Sequence, residues 1–245
     1  MGVKPATGIW AIVLNFGIEE PSLSILQLDR LAAAPLERDP FDFVVVEGFL
    51  DPAFRADAVA GFPRLPGAGS VPVAGLRLTP DFARLVAELE GSELREAIAA
   101  KFGLDLEGRP TMVTLRGWSD SSDGRIHTDS RSKLITFLLY LNPVWEAAEG
   151  RLRLLRGPED LDDYAVEVAP LAGTMLAFRR SENSFHGHRP HIGERRSLQL
   201  NWVSEERVVR RELARHRWSA KGKALAEGWQ ALLDRVTSGR MPVPR

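Results

Sequence analysis

His127 and Asp129 stand two residues apart in Arg125-Ile-His-Thr-Asp129. On a β-strand, residues i and i+2 point to the same face, so an imidazole nitrogen and a carboxylate oxygen there can meet one cation. A third ligand is needed, and Ser184-Phe-His186-Gly-His188 offers one farther along the chain. Two imidazoles and one carboxylate on one side of a metal leave the opposite positions open, the usual arrangement in non-haem Fe(II) oxygenases. A His-x-Asp pair by itself is common by chance, so the assignment depends on its surroundings. His188 lies two residues from His186 and shares its strand face, so either could complete the set.

The composition narrows the chemistry. The 245 residues include no cysteine, which excludes disulfides, Cys nucleophiles, iron–sulfur clusters and thiolate zinc sites. Any metal must therefore use His, Asp or Glu. Hydrophobic residues make up 44% and charged residues 27%, as in an ordinary globular protein able to bury a sizeable core. A net charge of -1 argues neither for nucleic acid nor for an acidic membrane surface. The apolar run Ile9 to Leu14 is too short for a bilayer span of about 20 residues. It also lacks the basic start and cleavage site of a secretory signal, so a cytoplasmic protein without membrane contact is expected.

The elements that must position these residues follow from local pattern. Residues 1–38 read as an N-terminal extension with a short helix over Ser22–Ala34. Phe41–Glu47, β-branched and aromatic before Gly48, reads as a strand. Asp51-Pro52 reads as a helix start, and the Pro- and Gly-rich residues 62–80 as loop. Helical periodicity runs from Asp81 to Phe102, with Phe82, Leu85, Val86, Leu89, Leu94 and Ile98 as its stripe and Gly103 as its end. From Thr111 to Val203, seven short β-prone runs alternate with turns, which predicts a β-sandwich or barrel. The amphipathic segments 205–213 and 221–236 predict C-terminal helices followed by a loose tail. The predicted layout is helical support over 51–103, a β core over 111–204, and 205–245 as helices and tail. Strands and helices do not alternate, which argues against a doubly wound sheet.

With the motifs set in this order, Phe41–Val203 resembles the 2-oxoglutarate and Fe(II)-dependent dioxygenases, in particular the prolyl 4-hydroxylase-like group. The resemblance is carried by His127-Thr-Asp129, by Leu134–Asn142 with Trp145, by Glu149-Gly150-x-Leu152, by Ala169-Pro170 with Gly173-Thr174 and Phe178, by His186, and by Arg196 with Trp202. It implies a mainly β fold with flanking helices, a double-stranded β-helix (jelly-roll) with the metal at its mouth. It implies Fe(II) held by His127, Asp129 and His186, with 2-oxoglutarate and O2 as cosubstrates and ascorbate as an accessory. The register to the following Arg favours His186 over His188 as the ligand. The expected reaction is C–H hydroxylation with release of succinate and CO2. Oxidative demethylation through the same site is the alternative, and a non-catalytic metal- or ligand-binding sandwich is the alternative from another class. Asp129 fills the position that related halogenases leave open for chloride, which argues against halogenation.

The resemblance also implies a basic residue about ten positions beyond the second His, pairing with the distal carboxylate of 2-oxoglutarate. An Arg suits that role because its planar fork matches a carboxylate. Arg196 has the family's interval to Trp202 and is chosen, while Arg195 competes for the role and is expected to face solvent. Tyr140, at the end of an apolar strand, is expected on the same carboxylate, against the reading of a plain core aromatic. Thr136, four residues earlier on the same face, could line that pocket or be an ordinary strand residue.

Glu149 replaces the first Gly of the family's common pair. The stretch Arg116–Gly124 lacks the tyrosine many relatives carry there, so Arg116 or Trp118 is expected in its place, with this loop as a lid or substrate contact. The arginines at 207, 210, 211, 215 and 217 read as a solvated helix face. The C-terminal helices are expected to pack on the sheet or to form a homodimer face, and nucleic acid is not expected. The substrate, whether small molecule, peptide or protein side chain, is not named by the sequence.

Overall fold

The computed structural model describes residues 24–207 and 209–210. The predicted helix over 221–236, the tail, His216, the greater part of the N-terminal extension, and residues 208 and 211–213 of the 205–213 segment lie outside the described residues. Among the described residues, four helices precede the β core: α1 (Leu28–Ala33), α2 (Pro52–Ala60), α3 (Pro80–Glu90) and α4 (Ser92–Phe102). Asp51 caps α2 as its sequence predicts, accepting from the Ala53 and Phe54 amides with Pro52 in the first turn. The single helix expected over 81–102 is instead two. Gly91 is extended (φ -69°, ψ 166°), ends α3 and begins α4. The five-residue step from Leu89 to Leu94 cannot stay on one stripe of a 3.6-residue period, so the chain turns there. Gly103, at φ 62°, closes α4 in the left-handed conformation that favours glycine.

The strands are β1 (Phe43–Val46), β2 (Val71–Pro72), β3 (Thr111–Ser119), β4 (Lys133–Tyr140), β5 (Leu152–Leu155), β6 (Tyr164–Val168), β7 (Met175–Arg179), β8 (His186–Gly187) and β9 (Gly193–Val203). The seven runs predicted from 111 to 203 all appear, and residues 62–80, read as loop, also contain the short edge strand β2. A six-stranded sheet has the order β1-β7-β4-β9-β3-β2, and a three-stranded sheet the order β6-β5-β8. All strand pairs are antiparallel. This is the mainly β, jelly-roll architecture expected.

Alternation along the strands divides the interior in two. Ile135, Phe137 and Leu139 of β4 and Leu198, Leu200 and Trp202 of β9 bury against the helices, with Phe82, Leu85, Leu89, Leu94 and Ile98 facing them. Tyr140, Leu176 and Phe178 point the other way and pack against Leu152, Leu154 and Val168 of the small sheet. A buried aromatic such as Phe137 contributes about 3–5 kcal/mol, read as its loss on truncation to Ala. The helices thus stiffen one face of the large sheet, and the space between the sheets holds this smaller apolar cluster together with buried polar residues such as Thr136, Arg195 and Asn201. No helix among the described residues is long and apolar enough to cross a membrane.

Candidate functional site

Two of the three predicted ligands are register partners. The His127 amide donates to the His186 carbonyl at 3.1 Å, and the His186 amide returns a bond to the His127 carbonyl at 3.0 Å. This bridge brings the rings to 4.3 Å between centroids. Each Nδ1 lies on a backbone carbonyl, His127 on Arg125 at 2.8 Å and His186 on Ser184 at 2.9 Å. A carbonyl only accepts, so each Nδ1 carries the proton and each Nε2 keeps its lone pair for a metal. Asp129 completes the group: one ligand atom from each of His127, Asp129 and His186 lies within 4.8 Å of the others.

The electrostatics suit a cation. Burial alone would push the Asp129 carboxyl up. The Lys133 ammonium, His186, and hydrogen bonds from Lys133 and Thr136 outweigh it and hold the carboxyl at about 2. Burial lowers His186 to about 4, with the Asp129 charge opposing. At neutral pH the site therefore presents one carboxylate and a neutral His186, the protonation states that bind a divalent metal.

His188 is not part of this group. Its Nδ1 lies 2.9 Å from the Arg189 carbonyl, and its amide donates to the Gly124 carbonyl at 2.9 Å. The contact with Gly124 is close. At φ +92°, a Cβ there would sit 2.2 Å from the His188 carbonyl oxygen and 2.5 Å from its Nδ1. Burial, with the charges of Arg195 and Arg116, holds the His188 imidazole at about 4. His191 stacks on Trp145 at 4.6 Å, away from the metal group.

The two arginines take the opposite faces from those expected. Arg195, expected in solvent, is 6% exposed; its Nε donates to the Gly150 carbonyl at 2.8 Å and its guanidinium lies over Tyr140 at 5.4 Å. Arg196, the residue chosen from its interval to Trp202, points to the opposite side. It bonds Glu194 and the Val59 carbonyl, lies over Phe62, and borders a cavity of about 910 Å³ beside α2. The reason is strand parity. Leu198, Leu200 and Trp202 face the helices, and counting back by twos places Arg196 with them and Arg195 on the inner face. That signal was present in the sequence, in the alternation of the apolar residues themselves.

Tyr140 faces the inner space and is fully buried. Its hydroxyl makes no hydrogen bond of good geometry, and the Arg195 guanidinium is the polar group beside it. Burial raises its pKa, with the Arg195 charge opposing. Thr136 shares that face, but its hydroxyl is committed to Asp129 Oδ2 and stands 3.0 Å from Asn201 Oδ1. Arg116 also faces inward, paired with Asp123 at 2.8 Å, whereas Trp118 is 46% exposed. Asp123 further accepts from the Ser119 hydroxyl and the Asp120 amide, which ties down the loop before His127. Lys133, Asn201 and Arg180 around Asp129 had not been singled out. Of these, only Lys133, four residues from Asp129, carries a local signal.

Residues 115–204, holding all three members of the metal group, match the family model described as the 2OG-Fe(II) oxygenase superfamily. This segment belongs to the 2OG-Fe(II) oxygenase superfamily. The family is one of oxygenases that use Fe(II) and 2-oxoglutarate, and the group of His127, Asp129 and His186 is a donor set that suits Fe(II). Among solved structures it is similar to a prolyl-4-hydroxylase from Pseudomonas putida, at 18% identity and a TM-score of 0.54, over 71% of this chain and 99% of that one. It is also similar to a prolyl 4-hydroxylase from Phytophthora capsici, at 18% identity and a TM-score of 0.49, over 78% of this chain and 69% of that one. At such identity the first likeness supports the fold of the oxygenase. No curated protein sequence matches the chain.

The inner space also suits the cosubstrate. A buried phenol and a buried guanidinium that meet in poor hydrogen-bond geometry are costly unless a ligand satisfies both. A carboxylate does so, since it accepts from each.

Proposed function

We propose that this oxygenase hydroxylates a substrate C–H bond, with His127, Asp129 and His186 holding Fe(II) and with Arg195 and Tyr140 holding the far carboxylate of 2-oxoglutarate. The observation that carries the reading is the convergence of three ligand atoms within 4.8 Å on the inner face that also holds Arg195 and Tyr140. When bound, Fe(II), 2-oxoglutarate and O2 together supply an oxidant able to break a C–H bond, with succinate and CO2 released.

The chain's own residues bind and orient. His127 and His186 present Nε2 because their Nδ1 protons are held by the Arg125 and Ser184 carbonyls. Asp129 supplies the one anionic ligand. Arg195, anchored through Nε to Gly150, lies beside the Tyr140 hydroxyl, and a carboxylate placed between them would accept from both. Phe178, 4.8 Å from the His186 ring, and Leu154, paired with His186 across the small sheet, exclude water from the inner side.

The test is anaerobic addition of Fe(II) and 2-oxoglutarate to the full chain. Chelation of the 2-oxo acid gives a weak visible charge-transfer band, expected in the wild type and in His188→Ala but absent in His186→Ala. No band in the wild type would overturn the reading. A band lost in His188→Ala but kept in His186→Ala would move the third ligand by two residues.

A further inference from the structure

The Asp129 carboxylate is 9% exposed, and both of its oxygens are taken. Lys133 Nζ lies 2.6 Å from Oδ1, and the Thr136 hydroxyl donates to Oδ2. The two donors differ in kind. Thr136 is neutral, 2% exposed and fixed in the middle of β4, with Asn201 behind it at 3.0 Å. Lys133 is a cation at the first residue of β4, on a flexible stem that is 15% exposed. Arg180 holds only the main chain here, donating from Nε to the Asp129 carbonyl at 3.2 Å.

A buried carboxylate needs a counter-charge, and an unpaired one is strongly destabilising. Lys133 provides it. With a divalent ion between His127, Asp129 and His186, the same carboxylate is neutralised by the metal. An ammonium beside that ion is then repelled in a region of low effective dielectric.

We propose that Lys133 is a placeholder cation: it occupies a carboxylate oxygen of Asp129 in the metal-free protein and gives way to the metal, while Thr136 positions the other oxygen in both states. The proposal rests on the reading that His127, Asp129 and His186 bind Fe(II). In this arrangement Lys133 balances the buried charge of Asp129 and lowers the affinity of the group for metal. Thr136 is a positioning residue, acting through Asp129.

Two opposite effects follow. Lys133→Met removes both the competitor and the repulsion, so the dissociation constant for metal falls about tenfold. The same substitution lowers the melting temperature of the metal-free protein, because Asp129 loses its partner. Thr136→Val frees the carboxylate to rotate and weakens metal binding about tenfold, and Thr136→Ser restores it.

The experiment is calorimetric titration of the full chain with Co(II), paired with thermal melts with and without the ion. Wild type binding one Co(II), with none in His186→Ala, keeps the metal reading. On that footing, tighter binding and a larger Co(II)-induced rise in melting temperature for Lys133→Met support the placeholder. Unchanged or weaker Co(II) binding by Lys133→Met overturns it while leaving the metal site intact. Lys133→Gln, uncharged but still able to hydrogen-bond, serves if Lys133→Met does not fold, and the same direction is expected of it. Thr136→Val binding as tightly as the wild type overturns the positioning role. A wild type that binds no Co(II) removes both the metal reading and the placeholder.

Discussion

The Arg195 guanidinium lies over the Tyr140 ring at 5.4 Å, both side chains buried between the two sheets. Arg196, its neighbour, reaches the other side of the same sheet and contacts the Val59 carbonyl of α2. Adjacent residues of one strand thus serve separate surfaces, and their substitution should separate cleanly.

Arg195→Met should raise the dissociation constant for 2-oxoglutarate about a hundredfold, since charged hydrogen bonds contribute about 1.5–3 kcal/mol each. Arg195→Lys should recover part of this, because a point charge replaces a fork. Arg196→Met should change it less than about threefold, its exposed pairing with Glu194 having a surface bond's modest value. Titration with 2-oxoglutarate in the presence of Mn(II) measures all three. The reverse ranking would return the role to Arg196.

Tyr140→Phe should act in opposite directions on stability and on binding. The hydroxyl is buried without a hydrogen bond of good geometry, so removing it should stabilise the ligand-free protein by about 1 kcal/mol. The same change should weaken 2-oxoglutarate binding by about tenfold, through one lost hydrogen bond. Denaturant melts and 2-oxoglutarate titration of the same preparation test the pair. A destabilised variant with unchanged binding would make Tyr140 a core aromatic and nothing more.

Acid should unfold the metal-free protein earlier than its carboxylates require. His186 and His188 are lowered from 6.5 to about 4, so the unfolded chain takes up protons that the folded one refuses. The stability they contribute is complete above pH 6.5 and is lost as pH falls from there to about 4, on the order of 3 kcal/mol for each group. Asp129, lowered from 3.8 to about 2, adds a further loss only below that window. Melting temperature against pH should therefore fall between pH 6.5 and 4, and His188→Gln should flatten the slope. A curve level down to pH 4 would contradict this.

The sequence by itself determined the metal group, the family and the β core. These are carried by short-range regularities: an i, i+2 spacing, β-prone runs between turns, and a fixed order of motifs. The capped start of α2 was legible for the same reason, because Asp51 and Pro52 act on the next turn of backbone. Tertiary structure alone decided what each group faces. Choosing between His186 and His188, which share a strand face, required the pairing of His186 with His127 across strands, a contact 59 residues away in sequence. Lys133 and Arg180 meet at Asp129, and Asn201 stands behind its partner Thr136, only because β4, β9 and the end of β7 converge there. Arg195 lay between the two cases. Strand alternation held the answer, but motif register pointed one residue farther, and a shift of one residue in a strand exchanges the two faces. What a strand side chain touches is set by which sheet face the helices cover. In this chain they cover the face of Leu198, Leu200 and Trp202, and so leave Arg195 to the site.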